Sequence, residues 1–258
     1  MSKSLSVSAK IISIDGNLYS IPKPLVNKLI QFTEEHYHIE NRASFIDIIL
    51  RPKHPGEIIF FYGEADELVG YTRIYLQHID MKGKSFIVYS SNSYNDHKHN
   101  THFVGARLGL TQTMKYKLSH PDKELVHFSC VSSPREYLFL AHLCETIYPR
   151  PDREVPKQII KLLDVLKKNN NWPSLSDHPM LIGGQLVQKQ REASELNASD
   201  ESLIRYFLSL NPDYAAGDGL LVCIPLSLNN IGHSIKQLLT QAPQEQTEQR
   251  LKVYMNPA

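Results

Sequence analysis

The chain has 258 residues, and its 28 Lys+Arg stand against 27 Asp+Glu for a net charge of +1. That balance concentrates no basic face, which removes the electrostatic case for nucleic acid and gives no reason for attraction to an anionic membrane. The three cysteines, Cys130, Cys144 and Cys223, each sit among apolar neighbours, a pattern that argues against a disulfide framework and a cysteine zinc site. A hydrophobic fraction of 41% with 21% charged residues is that of a globular protein with a sizeable core. The opening MSKSLSVSAKIISIDG has no continuous apolar segment of the kind a signal peptide carries, and runs such as Leu220 to Leu226 are too short to cross a bilayer. The expectation is a soluble, cytoplasmic protein.

Ala9 to Ile14 reads as a strand closed by the turn signal Asp15-Gly16-Asn17. Pro22 and Pro24 open a helix with Leu25, Val26, Leu29 and Ile30 at helical spacing, and Asn41 caps a second short helix, Ser44 to Leu50. The period then changes. Strands are predicted over Glu57 to Tyr62, Leu68 to Ile79 and Ser85 to Ser90, joined by polar turns into an antiparallel meander. A polar loop, Ser91 to Asn100, leads to a helix over Thr101 to Leu118. After His120-Pro121-Asp122 comes a strand, Glu124 to Cys130. Ser133, Pro134 and Glu136 form a capping-box start for a helix reaching about Ile147. Beyond Pro151 the pattern gives helices over Val155 to Lys168, Ser199 to Leu210 and Asn229 to Thr240. Strands fall over Met180 to Val187 and Gly219 to Pro225, and the tail, Gln241 to Ala258, is polar.

Residues Ala9 to Tyr148 therefore read β-α-α-β-β-β-α-β-α. This order resembles the GNAT acyl-CoA N-acyltransferase fold, whose last two strands would be supplied by Met180 to Val187 and Gly219 to Pro225. The resemblance implies an α/β fold with a mixed, mostly antiparallel twisted sheet flanked by helices. Residues 1–150 would be the GNAT-like core, and 151–258 would complete the sheet with inserted helices and a polar tail. It further implies acetyl-CoA or another acyl-CoA as co-substrate, no metal, and a small-molecule or peptide amine as acceptor. Acyl-CoA would lie between Phe86–Ser90 and Glu124–Cys130. Its pantetheine arm would pair with Val88, Tyr89 and Ser90, and its pyrophosphate would rest on Lys98, His99, Asn100 and Thr101. Free N–H groups at a helix start, with the dipole behind them, suit phosphate. The family's loop carries glycines, whereas Asn95 to Asn100 has none. A tyrosine general acid is common two turns into the following helix. Those slots hold Phe139 and Leu140 here, leaving Tyr137 as the nearest proton donor, with Tyr148 further along. His127 is the candidate general base, since an imidazole titrates near neutrality.

Each of these residues has a plainer reading. His127 alternates with Val126 and Phe128 as a hydrogen-bonded sheet residue would, and Tyr137 and Tyr148 suit amphipathic packing. His97, His99 and His102 form a solvated loop more readily than a metal site. A second function also fits the sequence, a catalytically inactive GNAT-like module that binds a protein or peptide.

Overall fold

The computed structural model describes residues 7–14, 21–39, 42–43, 45–46, 54–81, 83–96, 99, 101–175, 178–184, 186–189, 201–245 and 253–255. The turn at Asp15-Gly16-Asn17, most of the helix expected over Ser44 to Leu50, and the cap at Ser199-Asp200 lie outside these residues.

The chain runs β1 (Ser8–Ile14), α1 (Lys23–His36), β2 (Tyr37–His38), β3 (Gly56–Tyr62), β4 (Leu68–Met81) and β5 (Lys84–Asn95). Then come α2 (Thr101–Ser119), β6 (Glu124–Val131), α3 (Pro134–Leu143), α4 (Lys157–Asn170), β7 (Leu181–Ile182) and β8 (Val187–Gln188). The last elements are α5 (Glu201–Leu210), β9 (Gly219–Pro225), α6 (Leu228–Glu245) and β10 (Val253–Met255). Among the described residues an eight-stranded sheet has the order β10-β1-β3-β4-β5-β6-β9-β7, and β2 pairs separately with β8. Neighbours in the span β1 to β9 are antiparallel except β5 and β6, which are parallel and joined through α2. This is a mixed, mostly antiparallel sheet flanked by helices, and the order of its described elements follows the reading of the sequence apart from two added strands, β2 and β10.

Two strands were not expected: β2, which pairs with β8, and β10 in the polar tail, which pairs in parallel with β1. The other differences lie at element ends. β5 continues five residues past Ser90, through a stretch that reads as a polar loop, because Ser91 to Asn95 pair with Gly70 to Ile74. Thr72 and Ser93 hydroxyls meet across that pair at 2.9 Å, so polarity here is cross-strand bonding on a half-wet face. α3 stops at Leu143 rather than near Ile147. The chain leaves it to bridge β9, with Tyr148 N–H on Cys223 O at 2.9 Å and the return bond at 2.7 Å. The expected strand over 180–187 is two short pieces that serve different sheets, because Leu181–Ile182 pairs with β9 and Val187–Gln188 with β2.

One face of the central sheet is covered by α1. Leu29, Phe32, Ile58, Phe60, Tyr71 and Tyr94 pack there in one buried cluster. On the other face Val104 and Leu108 of α2 pack on Ile59 and Phe61. α2, α3 and α6 share this second face, and they enclose the site.

Candidate functional site

The site begins where the parallel pair separates. β5 and β6 are paired from Phe86 opposite Glu124 to Ser91 opposite Ser129. Past that point β5 stays with β4 as far as Asn95 opposite Gly70, while β6 stays with β9 as far as Val131 opposite Leu220. A fork opens between them. The Tyr37 hydroxyl donates to Asn95 O at 3.0 Å and accepts from Asn95 N–H at 2.8 Å, and the Gln188 amide donates to the same carbonyl at 3.1 Å. Both backbone groups of Asn95 thus point into the fork. By the two-residue period of a strand, those of Ser93 do as well, and among the described residues no strand pairs with that edge.

A cavity of about 380 Å³ lies over the second face of the sheet at this fork. Alternate β5 residues, Tyr89, Ser91, Ser93 and Asn95, line its floor. α2 presents Thr101, Gly105, Gly109 and Thr113 to it, one residue per turn. A Cβ built on Gly109 would meet nothing within 4 Å, so this stripe leaves space where larger side chains would fill it. Two lining atoms are notable: Asn95 Oδ1 and Thr101 Oγ1 are buried and have no hydrogen-bond partner among the described residues.

His127 of β6 and Glu136 of α3 are among the titratable residues that line the cavity. His127 Nε2 lies 2.8 Å from Ser91 Oγ across the β5–β6 seam. Burial lowers its imidazole to about 4, which keeps it neutral at physiological pH. Glu136 comes from the first turn of α3, whose start follows the capping logic of the sequence with one change. Ser133 Oγ accepts from Glu136 N–H at 3.2 Å, but the Glu136 carboxylate returns to Ser132 N–H at 3.0 Å, one residue earlier than a capping box. Burial raises the Glu136 carboxyl to about 7, partly offset by the two bonds from Ser132. Burial raises Tyr37 and Cys130, and the Glu136 charge raises both further. Among the described residues its hydrogen bonds all go to Oε2.

The residues expected from the sequence are not all brought together. Val88 and Ser90 are buried, with their backbones in the ladders to both β4 and β6, so a pantetheine arm finds no free edge there. Their side chains alternate away from the cavity, while Tyr89 lines it with its ring edge-on to Tyr116 at 6.0 Å. The free edge begins after Ser91. Thr101 is at the site. His99 is held by Asp96, its N–H on Oδ1 at 2.9 Å and its Nδ1 2.8 Å from Oδ2, which fixes the approach to α2. Lys98, Asn100 and His97 lie outside the described residues. His127 lines the cavity, but at about 4 its imidazole is a weak base for neutral pH. Tyr137 is fully enclosed, donates its hydroxyl to Pro149 O at 3.0 Å, stacks obliquely on Phe207 and does not line the cavity. The cause is helical phase: Glu136, Phe139, Leu140 and Leu143 form the cavity face of α3, and Tyr137 points off it. Sequence reading missed Glu136 as more than a cap, and missed Ser93 and Asn95. The signal was present in the alternation Ser91, Ser93, Asn95 around the inward Tyr94.

No protein-family model and no curated protein matches this chain. Solved structures similar to it include a GNAT family N-acetyltransferase from Escherichia coli in complex with CoA. It is 10% identical, with 55% of this chain and 74% of that one covered at a TM-score of 0.35. An aminoglycoside acetyltransferase from an uncultured soil metagenomic sample, in complex with trehalose, is 14% identical over 66% of this chain and 93% of its own, at 0.30. A conserved protein of unknown function from Enterococcus faecalis, described as a probable N-acyltransferase, is 10% identical over 84% and 71%, at 0.36.

Proposed function

We propose that the protein is an acyl-CoA-dependent N-acyltransferase acting on an amine. The observation that carries this reading is the fork. A parallel strand pair parts beside the N-terminus of α2, and the Glu136 carboxyl lines the cavity formed there. The thioester lies along the free edge at Ser93. The Ser93 N–H then polarises its carbonyl and stabilises the oxyanion as it forms. The N-terminus of α2 faces the pyrophosphate.

Glu136 is the general base in this scheme. An acceptor ammonium gives one proton to the carboxylate, and the freed amine attacks the thioester carbon. The C–N bond forms, the C–S bond breaks, and the second proton lost by nitrogen goes to the departing thiolate, giving an amide and CoA thiol. A base that titrates at about 7 matches the operating pH, the condition under which general base catalysis is most effective. His127, neutral and tied to Ser91, holds the seam closed below the fork.

The test has two stages. Melting temperature is measured with acetyl-CoA and longer acyl-CoAs, where a ligand at a hundred times its Kd adds about 2.7 kcal/mol. Thiol release is then followed with a panel of amines. Glu136→Gln should slow transfer by about 10²–10⁴-fold while CoA still binds. A flat thermal response to every thioester would end the reading and leave a GNAT-like binding module.

A further inference from the structure

The cavity is much longer than an acetyl thioester needs, and its two directions differ in chemistry. Residues from β1, β3, β4, β5, β6 and β9 all line it, including Ser13, Glu57, Thr72, Ser91, His127 and Ile224. Six adjacent strands span on the order of 24 Å. The fork lies between β5 and β6. From there one arm crosses β4 and β3 toward Thr72, Glu57 and Ser13, which stand beside Pro55, Ile74 and Leu76.

The other arm runs under α3 and α6 toward β9. Its walls are Leu140, Leu143, Cys144, Leu226 and Ile231. Its few polar side chains are already satisfied by the protein. Asn230 spends Oδ1 on Thr146 N–H at 3.0 Å, and gives its amide to Thr146 O at 2.8 Å and Pro225 O at 2.7 Å. The Ser234 hydroxyl donates to Asn230 O at 2.9 Å, and also lies 3.8 Å from Cys144 Sγ. The fork is the reverse case, where the β5 edge at Ser93 pairs with no strand among the described residues and Glu136 lines the cavity. A ligand that fits both ends is polar at the fork and aliphatic beyond it.

Resting on the acyltransferase reading above, we infer that the arm under α3 and α6 takes the aliphatic tail of an acyl thioester, and that the donor is a medium-chain acyl-CoA rather than acetyl-CoA. The carbonyl stays at Ser93 and the tail turns toward Leu143 and Ile231. The arm toward β3, with Glu57, is left to the acceptor.

Each methylene that enters an apolar site raises affinity about fourfold. The experiment is equilibrium binding of free CoA and of acetyl-, butyryl-, hexanoyl-, octanoyl- and dodecanoyl-CoA to the full chain. Affinity should climb with length to a plateau, with octanoyl-CoA on the order of a hundredfold or more above acetyl-CoA. Gly109→Leu should lower the octanoyl-to-acetyl ratio, because its side chain enters open space and a helical glycine is replaced by a better helix former. Leu140→Trp, at a half-buried position, is the second obstruction and should lower the same ratio. Equal affinity for all chain lengths would overturn the inference and leave the acyltransferase reading standing. A site saturated by octylamine with no gain for octanoyl-CoA would also overturn it, assigning the arm to the acceptor. Failure of every CoA species to bind would remove both.

Discussion

The two faces of the sheet at β4 and β5 have opposite fates, although the same strands build both. On the α1 face, Tyr71 and Tyr94 lie with ring centroids 4.9 Å apart, and Tyr37 meets Tyr94 edge-on at 5.4 Å. The Tyr71 hydroxyl bonds Thr33 at 2.8 Å, and the rings fill that face. On the α2 face Thr72, Ser91, Ser93 and Asn95 stand among Ile74, Leu76 and Tyr89, beneath a helix that presents Gly105 and Gly109 beside Leu110 and Tyr116. The small residues of floor and roof leave a cavity between the larger ones. Side-chain volume at alternating positions therefore separates core from site within single strands.

The comparison breaks most severely at the filled face. Tyr94→Ala should cost about 3–5 kcal/mol in denaturant unfolding, since its neighbours cannot collapse into the space of a fully packed ring. A loss below 1 kcal/mol would mean that the α1 face is as loosely packed as the other.

The next effect is a pH dependence built by the open face. His127 falls from an ordinary 6.5 to about 4, so its contribution to stability is present above 6.5 and is lost as pH drops toward 4. Glu136 rises from 4.5 to about 7, so its contribution is present below 4.5 and is lost as pH climbs toward 7. Between about 4.5 and 6.5 the two oppose each other. Glu136→Gln removes one side, and the melting temperature of the variant relative to the parent should rise steadily from pH 4.5 to pH 7.5. A constant difference would show that the carboxyl titrates normally.

The cap of α3 comes next. Ser133→Ala removes the acceptor for Glu136 N–H and should cost about 1 kcal/mol. The smallest effect belongs to the cavity floor, where Ser93→Ala removes a single cross-strand hydroxyl bond to Thr72 and should cost about 1 kcal/mol or less. Its backbone N–H is unchanged, so thiol release should persist in that variant. A large stability loss at Ser93 would show the floor to be core.

Most elements were legible in the chain because each rests on local chemistry. The strand Gly219–Pro225 is a continuous apolar run buried on both faces, and α3 begins where Ser133, Pro134 and Glu136 dictate. The site was legible only in outline. Parallel pairing of 86–91 with 124–129 follows from strand–helix–strand order, but the point of separation depends on partners remote in sequence, β4 on one side and β9 on the other. Likewise, a glutamate three residues past a serine reads as a cap. Only burial, which depends on what the fold packs around that helix start, raises the carboxyl to about 7. Tyr137 shows the converse, since its proximity in sequence to the site says nothing of helical phase, and packing against Phe207 of α5 decides where its ring goes. The sequence by itself determined which segments are strands and helices, because propensity, period and capping act over a few residues. The fork, the cavity and the ionisation of Glu136 were decided by tertiary structure, because desolvation and strand separation depend on what the rest of the chain places alongside.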